Sequence, residues 1–378
     1  MSGTTTDESG TRQPDAASWW TEPARAADRA RMAALGGEPD AVRIDAARAA
    51  RRRGTDYLLG QVRPDGCVGD PERGFDYYRA PWTLSLVGEI EAAEAACGFI
   101  RRNLLTPDGR IDGPLRKIRT DWSYRDATLI VGAQRVGAYD LSIGIFPELL
   151  RWQDPQSGAF ANDREADSSM SDAMDIPYAC GGGFAALAVG RVDVALRAAG
   201  FLRTIRAAQA EAEDPATGIP RTFDAFWSRA RQRPYRPGDP GFEPYMRVEN
   251  AADRMQRWTI GGIAAGFLVR LALATGDAGW IALARDYQAF SMAATPAQAG
   301  YPSFCKSSWG SSLLYLATGD AIYRDWTLRM ADWYVAHQDA DGAWRPWVES
   351  HPNDRVWITL EYVMHLDTLL GALAARPG

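Results

Sequence analysis

Residues 318–344 read TGDAIYRDWTLRMADWYVAHQDADGAW. The segment opens on a tight turn, Thr318-Gly319-Asp320-Ala321. Apolar residues then recur along one helical face from Ala321 to His337: Ile322, Trp326, Leu328, Met330, Trp333 and Val335. It closes on a second kind of break, Asp339-Ala340-Asp341-Gly342, whose composition is that of a turn. Both breaks recur along the chain. The tight turn returns as Gly137-Ala138-Tyr139-Asp140, Gly190-Arg191-Val192-Asp193 and Thr275-Gly276-Asp277-Ala278. In each, Gly reads as the C-cap of one helix and Asp as the N-cap of the next. The longer break returns at Pro64-Asp65-Gly66, Pro107-Asp108-Gly109, Asp154 to Gly158, Asp214 to Gly218 and Pro296 to Gly300.

The segments between these breaks are helical. Met174 to Val189 and Ile260 to Ala274 are apolar nearly all round, as in helices buried on both sides. Val356 to Ala374 is also strongly apolar, whereas Asp45 to Gly60 is amphipathic. The order is therefore long loop, apolar inner helix, tight turn, amphipathic outer helix. Inner helices are predicted to start near Trp82, Tyr124, Met174, Asp253, Ser307 and Val356. The last lacks an outer partner after it, and Asp45 to Gly60 lacks an inner partner before it, so the two together close a ring. No alternating strand pattern stands out. The expected fold is all-α, an (α/α)6 toroid of six helical hairpins over residues 19–378, after a disordered lead-in at 1–18. The long loops gather at one end of the ring, where the inner helices present their N-termini, and the lumen is expected to open there.

Composition agrees with a large soluble core. The chain has 378 residues, 46% hydrophobic and 24% charged, with net charge −6 spread without long runs, which argues against nucleic-acid binding. The longest apolar run, Ile260 to Val269, falls short of a membrane span. Residues 1–14 have no apolar signal segment, so a cytoplasmic location is expected. Cys67, Cys97, Cys180 and Cys305 form no CxxC pair and read as free buried thiols. Only Lys117 and Lys306 are lysines among 42 basic residues.

Gln338-Asp339-Ala340-Asp341-Gly342-Ala343-Trp344 matches the Gln-x3-Gly-x-Trp core of the QW repeat, with looser copies at Gln61 to Val68 and Gln153 to Phe160. Over roughly residues 45–375 the chain resembles the toroid group of terpenoid cyclases and protein prenyltransferases. The resemblance implies a toroid in which Gln ties an outer helix to the next turn and Trp packs beneath it. Six-hairpin glycosidases, epimerases and lyases share the same punctuation. The cyclase acid motif Asp-x-Asp-Asp is absent; its nearest relative is Asp172-Ala173-Met174-Asp175. No Asp-Asp-x-x-Asp motif occurs, and Cys305, His337, His351 and His365 do not follow the prenyltransferase zinc spacing, so no metal and no cofactor are expected.

Candidate site residues fall in the first turns of the inner helices. Asp172 and Asp175, with Tyr178 one turn on, are either helix caps or acid/base groups. Trp357, Glu361 and His365 form an i, i+4, i+8 stripe on an apolar helix, where an ionisable pair needs partners. Glu361 and His365 are thus a core pair or a catalytic pair facing the lumen. Arg254 and Arg257, with Glu249 and Asp253, are a salt-bridged helix start or a lobe for a substrate anion; Asp126 repeats that theme beside Arg125. Tyr78, Trp82, Trp122, Tyr124, Trp258, Trp309 and Trp357 suggest an aromatic substrate wall. The first functional expectation is a cyclase or isomerase of bacterial natural-product biosynthesis acting on a hydrophobic, unsaturated small molecule. A sugar-active hydrolase, lyase or epimerase is the second, and a non-catalytic binding toroid the third.

Overall fold

The computed structural model describes residues 30–72, 77–113, 122–161, 172–249, 259–293, 305–346 and 352–376. Outer helices α1 (Asp40–Leu59), α3 (Ile90–Asn103), α5 (Tyr139–Leu150), α7 (Val192–Ala207), α9 (Gly279–Met292) and α11 (Ala321–Ala336) alternate with inner helices. The inner set is α2 (Ala80–Leu86), α4 (Trp122–Arg135), α6 (Ile176–Ala188), α8 (Thr259–Thr275), α10 (Lys306–Thr318) and α12 (Asn353–Ala375). Each inner helix packs on the next, and α12 returns to α2; α1 packs on both α11 and α12. The ring is closed, and the fold is an (α/α)6 toroid.

Sequence explains how the ring is stitched. In four of the long loops a glycine with positive φ, Gly66 (88°), Gly109 (79°), Gly158 (80°) or Gly342 (90°), presses on the next outer helix. The partners are the carbonyls of Ala95, Gly144, Arg197 and Arg53, and a Cβ would meet each of them. The last of these contacts joins the end of the chain to α1. The QW-like residues reinforce the same seams. Gln338 donates through Nε2 to the Gly342 and Ala50 carbonyls, each at 2.8 Å. Gln153 does the same for Gly158 (3.0 Å) and Val194 (3.2 Å). Trp344 is fully buried and donates from Nε1 to the Tyr334 carbonyl at 2.9 Å.

Several expectations need correction. Gly137, Gly190, Gly276 and Gly319 all have φ near the left-handed value (74–78°), as C-caps require. Of the aspartates that follow, Asp277 accepts from the Gly279 amide, the first of its helix, at 2.8 Å, but the other three do not cap as foreseen. Asp140 and Asp193 lie inside their helices and pair with Arg101 and Arg191, and Asp320 occupies the N-cap without a side-chain cap bond. The fold also carries short strands: β1 (Ala173–Asp175), β2 (Thr222–Asp224), β3 (Phe226–Ser228), β4 (Arg233–Pro234) and β5 (Arg247–Glu249). They pair antiparallel as β1-β3-β4 and β2-β5. Segments of two or three residues carry no readable alternation. The third inner helix therefore starts at Ile176 rather than Met174, with Pro177 in its first turn.

Helix α12 is long and apolar enough to cross a membrane by length and composition, but 72% of that window is buried within the ring. The four cysteines are free and buried.

Candidate active site

The inward faces of α2, α10 and α12 meet around one carboxylate. Glu361, two turns into α12, pairs with Arg79, which sits at the N-cap of α2, and with Lys306, the first residue of α10. Cys305 Sγ and His365 Nε2 each lie 3.6 Å from Glu361 Oε1. The burial is deep: Arg79 is 2% exposed, Lys306 and Glu361 4%, and His365 0%. The start of α10 is pinned in place. Ser307 Oγ accepts from Ser291 Oγ and Trp326 Nε1, both at 2.8 Å, and its carbonyl accepts from Gln288 Nε2 at 3.1 Å.

Beneath this cluster lies an aromatic floor contributed by four inner helices, α2, α6, α8 and α10. Phe184 stacks on Trp309 with centroids 4.7 Å apart, and Trp82 and Phe267 meet these rings edge-on. The His365 ring approaches Trp309 at 5.0 Å. Arg270 lies over both Phe184 (5.5 Å) and Trp309 (5.7 Å) and has no carboxylate partner among the described residues. Nearer the inner-helix N-termini, Trp357 donates from Nε1 to the Tyr78 hydroxyl at 2.9 Å. Arg79 and Arg125 both lie 5.2 Å from the Tyr78 ring, and Tyr124 meets Tyr178 edge-on at 6.4 Å. Tyr124, Tyr178 and Trp357 are half-buried.

The electrostatics follow from one anion among several cations. Burial holds the His365 imidazole well below its usual range, helped by the charges of Lys306, Arg79 and Arg270, so the ring is neutral. Burial also pulls the Lys306 ammonium down to about 7, with Arg79 adding to the effect. One carboxylate faces two cations, and a guanidinium does not release its proton, so the ammonium gives way. Arg270 is drawn down to about 10 by burial and by Arg135. Burial pushes the Tyr124 hydroxyl up to about 12. Neither ring nitrogen of His365, nor Arg79 Nε, nor the indole N–H of Trp82 or Trp309, has a hydrogen-bond partner among the described residues. Buried polar atoms of this kind fit a polar ligand.

A stability dependence on pH follows. Below about pH 6.5 the unfolded chain protonates His365 while the folded chain does not, so stability falls as pH drops through that value. Lys306 acts in the same direction at higher pH: from near 7 up to its unfolded value, the unfolded chain holds the extra proton and stability rises with pH. The urea midpoint should therefore be lower at about pH 5.5 than at about pH 8, and His365→Gln should flatten the acid part of that difference. An unchanged slope in the variant would assign the acid sensitivity to other groups.

Several expected site residues come together here: Glu361, His365, Tyr178, Tyr78, Trp82, Tyr124, Trp309 and Trp357. Asp126 is buried beside Arg125 on α4. Asp172 is instead sewn into the β-hairpin, accepting from Ser228 Oγ (2.6 Å), Tyr235 Oη (2.5 Å) and the Ala230 amide (2.6 Å). Asp175 caps α6 by accepting from the Tyr178 amide at 2.9 Å. Arg254, Arg257 and Trp258 lie outside the described residues, as does the side chain of Trp122. The residues that sequence reading did not place in the site are Arg79, Cys305, Lys306, Phe184, Phe267 and Arg270. One signal pointed to Lys306: it is one of only two lysines, with Lys117, among 42 basic residues.

The fold also brings together what linear spacing separated. Cys305, Glu361 and His365 offer ligand atoms within 4.8 Å of one another. The set does not fit a metal ion. Glu361 is already held by two cations, burial keeps the Cys305 thiol protonated, and Arg79 and Lys306 would face the added charge directly.

The closed ring with inward-facing chemistry defines the α/α toroid class. Among solved structures the chain is similar to a cellobiose 2-epimerase from Spirochaeta thermophila, at 12% identity and TM-score 0.60, covering 88% of this chain and 97% of that one. It is similar to a D-mannose isomerase at 14% identity and TM-score 0.59, covering 85% and 96%. It is also similar to a type II terpene cyclase from Scytonema at 14% identity and TM-score 0.57, covering 88% and 100%. No protein-family model and no curated protein matches the chain. At these identities the likeness concerns the fold.

Proposed function

We propose that this chain is a toroid-type enzyme, an isomerase that moves a proton within a small carbonyl compound held above the aromatic floor. One observation carries the reading: the buried Arg79–Glu361–Lys306 cluster with a neutral His365 beneath it. Glu361 is the base that takes a proton from the carbon next to the carbonyl. Arg79 presents a fixed positive charge where the enolate oxygen forms, which is where preorganised charge accelerates reaction most. His365, neutral at pH 7, relays the proton. The isomerase and epimerase of the same fold favour this class of chemistry.

The same charges weigh against a carbocation pathway. The faces of Phe184 and Trp309 that would stabilise a cation already carry Arg270. The cyclase reading keeps two supports of its own, the stacked apolar floor and the likeness to a type II terpene cyclase.

The test is solvent exchange. A panel of reducing sugars and 2-keto acids is incubated with the protein in D2O and followed by NMR. One class should gain deuterium next to its carbonyl with the native protein and none with Glu361→Gln. No exchange anywhere in the panel overturns the reading, and conversion of a linear polyene would put the cyclase reading in its place.

A further inference from the structure

Lys306 has a position that charge pairing alone does not require. The chain has 42 basic residues and only two lysines, so arginine is the ordinary choice wherever a cation suffices. An arginine pairs better with a carboxylate, through a planar fork that keeps its proton. At the first turn of α10, against Glu361, the chain nevertheless places a primary amine. This amine is buried, its backbone is fixed by the Ser307 bonds, and a proton-accepting carboxylate is in direct contact. Arg79 on the other side of Glu361 already supplies the fixed positive charge.

From this juxtaposition we infer that Lys306 is an amine nucleophile that forms an imine with the carbonyl substrate. The inference rests on the isomerase reading above and names the covalent route it takes. The Nζ lone pair attacks the carbonyl carbon as the C=O π pair moves to oxygen. That oxygen takes a proton passed through Glu361, giving a carbinolamine. A second proton, taken up from solvent and delivered to the hydroxyl by Glu361 as its acid form, lets that hydroxyl leave as water while the nitrogen pair closes the iminium; carbonyl, amine and one proton become iminium plus one water, with no oxidant or reductant involved. The protonated imine withdraws electrons from the neighbouring carbon more strongly than a carbonyl does. Glu361 removes the proton there, the electron pair is held on nitrogen as an enamine, and the reverse steps release the product. A neutral amine is needed for the first step, and the burial of Lys306 with Arg79 nearby supplies it near pH 7.

The small number of lysines makes a direct test. The full chain is incubated with glyceraldehyde or pyruvate and sodium cyanoborohydride, which reduces the imine to a stable amine, and labelled peptides are read by mass spectrometry. Lys117 and the N-terminal amine report ordinary amine reactivity in the same tube. Lys306 should label at least tenfold faster than Lys117 at pH 7, with a rate that rises through about pH 7 rather than near 10. Lys306→Arg should remove that label and leave labelling of Lys117 as it was. Labelling of Lys117 and the N-terminus with Lys306 untouched overturns the inference. If deuterium exchange proceeds while Lys306 stays unlabelled, the covalent route falls and the acid–base reading stands; if both fail, both fall.

Discussion

Glu361→Gln should cost about 3–5 kcal/mol of folding stability, as expected when one member of a buried charge cluster is removed, and lower turnover per folded molecule by ~10²-fold or more. The two effects have one origin. Among the described residues Glu361 is the sole carboxylate that Arg79 and Lys306 share, and all three are buried. Glutamine keeps the volume and can still accept a hydrogen bond, but it leaves the guanidinium facing whatever charge Lys306 retains. A second substitution separates stability from chemistry. Lys306→Met added to Glu361→Gln removes one stranded cation and should recover part of the lost stability, because the two sites are in contact and their effects are not additive. Turnover should not return. Urea denaturation and turnover measured on the same preparations decide the matter. A Glu361→Gln protein of native stability would mean that the cluster is solvated, and one of native turnover would remove Glu361 from the chemistry.

How much of this was legible in the sequence depends on the range of each contact. The ring was legible because its signals are local and repeated. A tight turn with Gly ends an inner helix at four places, an amphipathic segment follows, and a Gly-containing longer break recurs six times along the chain. Trp357, Glu361 and His365 were legible as a stripe because i, i+4 spacing on one helix fixes their common face. The partners of that stripe were not. Arg79 lies 282 positions from Glu361, and only ring closure brings α2 beside α12. Lys306 and Cys305 come from the helix on the other side of α12, and no spacing rule reaches across two hairpins. Asp172 and Asp175 were singled out for lying near an inner-helix start. The short strand between them, too short to show alternation, turns one toward the hairpin and the other into a cap. The expected hydrophobic substrate reflected a count of aromatic residues. The folded chain places guanidiniums over several of those rings, and that placement, which no count shows, is what the proposed isomerase reading draws on.

Gly262→Ala should be among the most damaging substitutions in the ring, costing about 3 kcal/mol or more by overpacking. Helices α8 and α10 cross so closely at this point that a Cβ on Gly262 would overlap the carbonyl group of Lys306 and come within 2.6 Å of the Ser307 amide nitrogen. Both obstacles are backbone, so no rotamer change relieves them. The other face of the crossing is equally tight. A Cβ on Gly310 would run into Gln288 Oε1 and lie 2.9 Å from Ala265 Cβ. One turn along α8, Gly266 provides the control. A Cβ there meets the Trp309 ring at 3.5 Å, an ordinary contact, and alanine is favoured over glycine in a helix by about 1 kcal/mol. Gly266→Ala should therefore be neutral or stabilising, with a urea midpoint at or above that of the native chain, while that of Gly262→Ala falls below it. The obstacle at Gly262 is the backbone of Lys306 itself. Any Gly262→Ala molecules that do fold must push the start of α10 outward, which takes the amine away from Glu361. Their Lys306 should then lose its fast labelling by aldehyde and hydride and react like Lys117. A Gly262→Ala protein with native stability and native labelling would show that α8 and α10 can separate at no cost, and that the glycine is not what sets the position of the amine.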